Sequence, residues 1–198
     1  MGAVINRYNI DVVIDQIFYT VFSTKFTPMA IVWWNSSTGP RIFQTYFRMG
    51  QKTIDEEIKG IFHRANPLTS QEIIELRNQI TAYFEGDLVV FNLENIALER
   101  CGLFQRKVLN AEYGIPRGWI STYGRIANHI GIKGGSRAVG RALAENPFPI
   151  IIPCHRAVRT NGEIGGYQGG DKMKRALLMM EGIKFKSNDR VLMQNVCY

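Results

Sequence analysis

The sequence has little cysteine and little histidine. Only three residues of each kind occur among the 198, and no two cysteines stand in a CxxC spacing. This excludes a disulfide-rich secreted scaffold, and no local ligand spacing predicts a metal site. We therefore expect no bound metal and a reducing, intracellular compartment, either the cytoplasm or a eukaryotic nucleus. The three cysteines are Cys101, Cys154 and Cys197.

Long apolar runs and targeting signals are also missing. The apolar run from Val12 to Phe22 contains Asp15 and Gln16, and no basic segment or small-residue cleavage site flanks it. Asn6 stands where a myristoylation signal needs serine or threonine. No stretch reaches the roughly 20 apolar residues that span a bilayer. We expect neither a signal peptide nor membrane attachment.

Charge is present but unevenly distributed. The chain carries a net charge of +7, yet residues 101–198 hold 15 lysines and arginines against 6 acidic residues. Residues 1–100 hold 9 against 11. The second half therefore favours a polyanionic partner, with nucleic acid ahead of an anionic membrane surface, although a solvated basic surface explains the charge equally well.

The first half alternates strand-like and helix-like patterns. Two β-rich runs, Met29–Trp34 and Arg41–Phe47, flank a cluster of turn residues and predict a hairpin with a loop longer than two residues. Ile54, Ile58 and Ile61 recur at helical spacing, which predicts a short amphipathic helix.

A second helix of the first half has its own start and stop signals. Thr69 and Glu72 have the spacing of a capping box, and Gly86 is a natural C-terminal stop. The segment 87–101 lacks a clear period and is interpreted as a linker. We predict an N-terminal α/β companion domain over residues 1–95 and a C-terminal domain over residues 96–198.

Two short helices of the second half resemble a helix-turn-helix unit. One is capped by Ser121 and ends at Gly131, and the other starts at Ser136 and stops before Pro147. In a net-positive half, this pair favours DNA binding. The second helix presents small and basic residues, which predicts backbone and shape recognition independent of sequence, unless the small ones serve helix packing. These residues are Arg137, Ala138, Gly140 and Arg141.

The stretch NPFPIIIPCHRAV, residues 146–158, carries the strongest chemical signal. Ile150–Ile152 predicts a short buried strand that delivers Cys154, His155 and Arg156 at its end. Cationic neighbours lower the pKa of a thiol, so we expect a reactive Cys154. Neighbouring side chains in extended backbone point to opposite faces, so His155 acts on the thiol through a water or across a tight turn. Glu181, at the end of an apolar helix, is a candidate to orient His155.

A glycine-rich segment follows this stretch. NGEIGGYQGG, residues 161–170, contains five glycines, so it either turns sharply or lets a planar ligand approach its backbone. It lacks the Lys-Ser/Thr ending of a phosphate-binding loop.

TYGRIA, SRAVGRALAENPFPIIIPCHRAV, GEIGGYQGG and LLMMEG occur in an order and spacing that resembles the O6-alkylguanine-DNA alkyltransferases, over roughly residues 100–183. The resemblance implies an α+β fold, with a ribonuclease H-like N-terminal sheet-and-helix domain and a mostly helical C-terminal domain with a helix-turn-helix. It implies that the C-terminal domain, residues 96–198, binds DNA and carries out alkyl transfer. It implies a monomer that binds double-stranded DNA containing O6-alkylguanine and works without a cofactor.

The resemblance also implies roles for single residues. Cys154 would accept the alkyl group, His155 would deprotonate it through a water, and Glu181 would orient His155. Asn146 would brace the active-site turn. Tyr123 would help to rotate the nucleotide out of the duplex and donate a proton to the departing guanine.

Further residues follow from the same resemblance. Arg137 would fill the gap left in the duplex, within a minor-groove surface formed by Tyr123, Ser136, Arg137, Ala138, Gly140 and Arg141. The alkylguanine pocket would be lined by Pro149, Ala157, Ile164, Gly165, Gly166, Tyr167 and Gln168.

Two of these positions depart from the family pattern. Ala157 replaces a more usual valine, and Gln168 replaces a frequent small residue, which bears on the alkyl groups accepted. Two other functions fit parts of the sequence: a non-catalytic binder of alkylated DNA, which would lack the acceptor cysteine, and a helix-turn-helix regulator with Cys154 as a sensor.

Overall fold

The computed structural model describes residues 16–48 and 50–198. The predictions about a signal peptide and myristoylation depend mainly on residues 1–15, which lie outside this part. The chain divides into two compact units, Met1–Gly102 and Leu103–Tyr198. The sequence analysis places its domain boundary slightly earlier, after residue 95.

A four-stranded sheet forms the centre of the first unit. Its strands lie in the order β3-β2-β1-β4, antiparallel except for the parallel pair β1 and β4. The predicted hairpin is confirmed as β2 and β3, but only Ser37 and Thr38 separate the two strands, so its loop is shorter than predicted. The strands are β1 Phe18–Phe22, β2 Met29–Ser36, β3 Gly39–Phe47 and β4 Asn66–Pro67.

Two helices complete the first unit: α1, Ile54–Ile61, and α2, Gln71–Glu85. Ile54 and Ile58 of α1 are buried against one face of the sheet, as their spacing predicts. The N-cap of α2 is Ser70, whose hydroxyl accepts from the Ile73 amide, so the predicted cap at Thr69 is wrong by one residue.

Segment 87–101 is not a free linker. Ile42 of β3 donates its amide to the Asn95 carbonyl at 2.7 Å and accepts from the Ala97 amide at 2.9 Å. A 3-10 helix, Leu98–Arg100, follows directly. Because these hydrogen bonds extend the sheet edge, the segment belongs to the first unit.

The second unit consists mainly of four helices. The predicted helix pair is confirmed as α4 and α5, but α4 is capped by the hydroxyl of Thr122 rather than Ser121, and the N-cap of α5 is Gly135 rather than Ser136. Two-residue parallel strands, β5 Ser121–Thr122 and β6 Ala157–Val158, lie between the helices. The helices are α3 Leu103–Tyr113, α4 Tyr123–His129, α5 Ser136–Ala144 and α6 Gly170–Met180.

The described residues thus form a mixed α+β fold with a small sheet and six α-helices. This confirms the predicted fold class at the level of α+β. Over residues 16–48 and 50–198, none of the helices has the length and apolar character needed to cross a membrane.

Candidate active site around Cys154

The backbone before Cys154 is a tight turn. The prediction of a strand over Ile150–Ile152 is wrong: Ile150 has a left-handed φ of 76°, and only Pro149 and Ile152 form an isolated bridge. The buried Asn146 holds this turn, because its Nδ2 donates to the Ile152 carbonyl at 3.0 Å and its Oδ1 accepts from the Phe148 amide at 2.9 Å. The turn thus satisfies both polar ends of this buried amide, as buried polar groups require.

The Cys154 thiol is buried at the start of a 3-10 helix, Cys154–Arg156, and is 5% exposed. Burial raises the pKa of this thiol to about 12, against smaller opposing effects of the Asn146 side chain and the Lys174 charge. The expected lowering by cationic neighbours is therefore wrong, since burial disfavours the thiolate more than these charges favour it. The thiol is neutral at pH 7 and needs a base to become a nucleophile.

Behind Cys154 lies a buried ion-pair network. The Nε2 of His155 lies 3.2 Å from Oε1 of Glu181, and the guanidinium of Arg156 donates to both Glu181 oxygens at 2.8 and 2.6 Å. Arg156 also donates to the Ile115 carbonyl at 2.5 Å. The carboxylate thus fixes both the His155 ring and the Arg156 side chain.

Burial sets the protonation states in this network. It lowers the pKa of His155, and the neighbouring Glu181 counteracts it only in part. Burial also acts to raise the pKa of Glu181, but His155 and Arg156 outweigh it and hold that pKa well below its usual range. At neutral pH, Glu181 is a carboxylate and His155 is a neutral imidazole, which is the form that accepts a proton.

The Tyr123 side chain packs between a glycine of α5 and a glycine of the glycine-rich segment. Tyr123 begins α4, and its ring is 3.8 Å from the point that a Cβ on Gly140 of α5 would occupy. On the other side, a Cβ on Gly165 would lie 2.6 Å from its hydroxyl oxygen. Burial, with Glu112 and Cys154 nearby, raises the pKa of Tyr123 to about 12, so the phenol keeps its proton at neutral pH.

The glycine-rich segment is held by side chains from neighbouring elements. Nζ of Lys174 in α6 donates to the carbonyls of Ala157 at 2.7 Å and Gly166 at 3.3 Å. The Tyr167 ring meets the His155 ring edge to face at 6.2 Å between centroids. The fold therefore brings this segment next to the Cys154–Arg156 helix.

The predicted pocket residues differ in exposure. Pro149 and Ala157 are buried, and Gly166 is exposed. The half-buried ones are Ile164, Gly165, Tyr167 and Gln168. A separate cavity of about 540 Å³ includes only Ile164 and Gly165 from this set. Its other lining residues are mostly charged, so this cavity is not an apolar pocket for an alkyl group.

The predicted DNA-contacting residues lie mostly on one exposed face. Ser136, Arg137, Ala138 and Arg141 of α5 are exposed, and Gly140 is half-buried against Tyr123. The apolar face of α5, with Val139 and Leu143, is buried.

Two buried charged residues were missed by the sequence analysis. Lys174 and Glu112 are both 0% exposed. Burial raises the pKa of Glu112 to about 8 and lowers that of Lys174 to about 8. Helical spacing could have placed both on buried helix faces. Glu112 follows buried Val108 by four residues, and Lys174 precedes buried Leu178 by four.

No group of three or more potential metal ligands is found among residues 16–48 and 50–198.

Comparison with known proteins connects this geometry to a family. The family model of the 6-O-methylguanine DNA methyltransferase DNA-binding domain matches residues 103–183. A methylated-DNA–protein-cysteine methyltransferase of Methanothermobacter thermautotrophicus is 42% identical over 58% of this chain and 64% of its own length. The chain thus spans somewhat less than two thirds of that relative.

Other relatives are covered more fully. The protein of the same name from Mycolicibacterium paratuberculosis is 44% identical over 69% of this chain and 79% of its own. The crystal structure of Mycobacterium tuberculosis OGT in complex with DNA matches with a TM-score of 0.67 and 30% identity, covering 83% of this chain and 93% of that one. The chain belongs to the methylated-DNA–protein-cysteine methyltransferase family.

Proposed function

We propose that this chain repairs DNA by moving a methyl or larger alkyl group from O6 of guanine to its own Cys154, once per molecule. The observation that carries the proposal is the neutral thiol of Cys154, buried next to the network of His155, Glu181 and Arg156. Family membership supports the same reaction.

The transfer balances with the groups present. A water between Cys154 and neutral His155 passes the thiol proton to the imidazole, and Glu181 stabilises the resulting imidazolium. The sulfur attacks the alkyl carbon, the S–C bond forms and the C–O6 bond breaks. Tyr123, which keeps its proton at neutral pH, donates it to the departing guanine, and the imidazolium then returns its proton through water to the Tyr123 phenolate. The guanine therefore gains the one proton that the thiol loses. The product is a thioether that none of these groups cleaves, so the reaction is stoichiometric and needs no cofactor.

We further propose that α4 and α5 act as a helix-turn-helix that enters the minor groove of duplex DNA. The exposed small residue Ala138 lets α5 approach the backbone closely, and Arg141 meets phosphate. Arg137 takes the place of the rotated nucleotide, whose extrusion costs about a few kcal/mol. Asn146 holds the active-site turn, and the first unit, which we propose to be ribonuclease H-like, is a companion domain in a monomeric protein.

Mass measurement tests the reaction. After incubation with an oligonucleotide that contains O6-methylguanine, the protein should gain one methyl group in place of a proton, on the peptide with Cys154. Cys154→Ser should gain none, whereas Cys197→Ser should react like wild type. An unchanged protein mass with an intact lesion would contradict the proposal and leave a non-catalytic binder of alkylated DNA as the better reading.

Arg137 separates DNA handling from chemistry. Arg137→Ala should slow repair of duplex DNA by about tenfold or more while changing the reaction with free O6-benzylguanine little, because the free base needs no extrusion. Equal losses on both substrates would mean that Arg137 does not replace the nucleotide. A strict preference for one operator sequence would instead favour a regulator.

A further inference from the structure

Gln168 connects two parts of the site that are distant in sequence. Its Nε2 donates to the Asn146 carbonyl at 2.7 Å and to the Ala144 carbonyl at 3.0 Å. Both acceptors lie at or just beyond the C-terminal end of α5, where carbonyls have no partner within the helix. The side-chain amide therefore fastens the glycine-rich segment to the end of α5.

Asn146 also fixes the backbone that leads to the thiol. Its Nδ2 donates to the Ile152 carbonyl at 3.0 Å, and the same carbonyl accepts from the Cys154 amide at 2.8 Å. One chain of hydrogen bonds thus runs from Gln168 through Asn146 and Ile152 to Cys154. The position of the segment relative to the thiol is defined through this chain.

The segment has little stiffness of its own. From Ile164 to Gly170, with both ends included, it contains four glycines, which lose more backbone entropy on ordering than other residues. On its other side it is held through the Gly166 carbonyl by Lys174, at 3.3 Å. Without Gln168, the segment would lose both of its hydrogen bonds to the end of α5.

We propose that Gln168 is a positioning residue that restricts the size of the alkyl group by locking the glycine-rich segment at a fixed distance from Cys154. This rests on the proposed alkyl transfer. Because Tyr167 of this segment contacts the His155 ring, the segment borders the space beside the thiol, and a benzyl group needs more of that space than a methyl group does. We therefore expect a benzyl group to push the segment outward. The hydrogen bonds of Gln168 oppose that movement.

The experiment compares single-turnover transfer from O6-methylguanine and O6-benzylguanine in the same oligonucleotide, using the full chain. Gln168→Ala removes the amide, and Gln168→Glu keeps its shape but loses the donor. The ratio of benzyl to methyl transfer rates should rise about tenfold in both, which is the shift that losing two net hydrogen bonds allows. Hydrogen exchange of residues 164–169 should become faster in both variants.

Gln105 provides a matched control. Its Nε2 donates to the carbonyls of Ala142 and Glu145 at 3.2 and 3.0 Å, at the same end of α5, but from α3. Gln105→Ala and Gln105→Glu should therefore cost similar stability and leave the benzyl-to-methyl ratio within about twofold of wild type.

The outcomes separate this inference from the proposed function. A ratio unchanged within about twofold in both Gln168 variants, or the same rise in the Gln105 variants, would overturn it. If the wild-type chain transfers neither group, the proposed function fails and the size restriction fails with it. Hydrogen exchange would then still report whether Gln168 holds the segment.

Discussion

The Cys154 thiol and the His155 imidazole are both buried, and burial favours the neutral form of each. A neutral thiol reacts slowly with electrophiles in solution, because the thiolate is the nucleophilic form. A neutral imidazole can accept the proton of the thiol. The ionised partners of this pair, Glu181 and Arg156, neutralise each other through two hydrogen bonds. At the scale of the residue, the thiol and the imidazole are neutral before the reaction and become charged only when the proton moves between them.

The pH dependence follows from these states. Burial lowers the pKa of His155 below its ordinary value of 6.5, so the neutral imidazole predominates at pH 6.5 and the protonated form predominates only in more acid solution. Because burial raises the pKa of Cys154 to about 12, almost all of it is a thiol near neutral pH. Deprotonation by solvent hydroxide therefore adds little to the rate of transfer there. The single-turnover rate should change by less than about twofold between pH 6.5 and 8, and it should decrease below pH 6.5 as His155 becomes protonated.

The same rates measured with free O6-benzylguanine control for pH effects on DNA binding. A tenfold increase per pH unit would mean that hydroxide makes the thiolate. Half-maximal rate near pH 7 would mean that His155 has an ordinary or raised pKa. The first result would contradict His155 as the base, and the second would contradict its lowered pKa.

Gly165 makes a second prediction at this scale. A Cβ there would lie 2.6 Å from the Tyr123 hydroxyl oxygen, and the residue has a left-handed φ of 68°. Gly165→Ala should therefore displace Tyr123 or the glycine-rich segment and slow alkyl transfer by about tenfold or more, as a shift of about 1 Å commonly does. Gly124→Ala is the matched control, since a Cβ at Gly124 meets nothing within 4 Å. Equal rates in the two variants would contradict this reading.

At the scale of the element, the helices are where their apolar spacing predicts, but their ends are not. The caps of α2 and α4 lie one residue beyond the predicted ones, at Ser70 and Thr122. Neighbouring serines and threonines are equally good caps by type, so only the backbone conformation decides which hydroxyl reaches an amide. The sequence offers Thr69 next to Ser70 and Ser121 next to Thr122.

Alanine substitutions distinguish the two candidates in α2. Ser70→Ala should lower the free energy of unfolding by about 1 kcal/mol, because the Ile73 amide loses its acceptor. Thr69→Ala should change it by less than about 0.5 kcal/mol, the range of ordinary surface substitutions. Urea unfolding followed by circular dichroism measures both. A larger loss at Thr69 than at Ser70 would show that the cap is at Thr69.

At the scale of the whole molecule, the charge asymmetry coincides with the division into units. All 15 lysines and arginines of residues 101–198 lie in the unit Leu103–Tyr198, together with 6 acidic residues. Long-range attraction to a polyanion is therefore a property of the unit that carries Cys154 and α5.

Salt dependence measures this property. Affinity for unmodified duplex DNA should fall at least tenfold between about 50 and 200 mM salt, because bound cations are released from the phosphates. Arg141→Ala should reduce the slope of log affinity against log salt by about one. Lys59→Ala, an exposed substitution in the first unit, should leave the slope unchanged. Equal slopes in all three proteins would contradict a phosphate contact at Arg141.

The sequence by itself determined the family, the main helices, the hairpin and the chemically unusual triplet Cys154–Arg156. These depend on local spacing and on residue types that ordinary packing does not require, such as His and Arg directly after a cysteine. The roles assigned to the individual residues remain predictions.

Only the tertiary structure decided the turn at Ile150, the raised pKa of Cys154, and the positions of Lys174, Glu112 and the Gln168 amide. The turn is stabilised by Asn146 from outside the segment, so local β-propensity could not reveal it. The pKa depends on how much water surrounds the thiol, which the neighbouring letters PCHR do not encode. Hydrogen bonds from Gln168 to α5 join residues more than twenty positions apart, and folding alone brings them together.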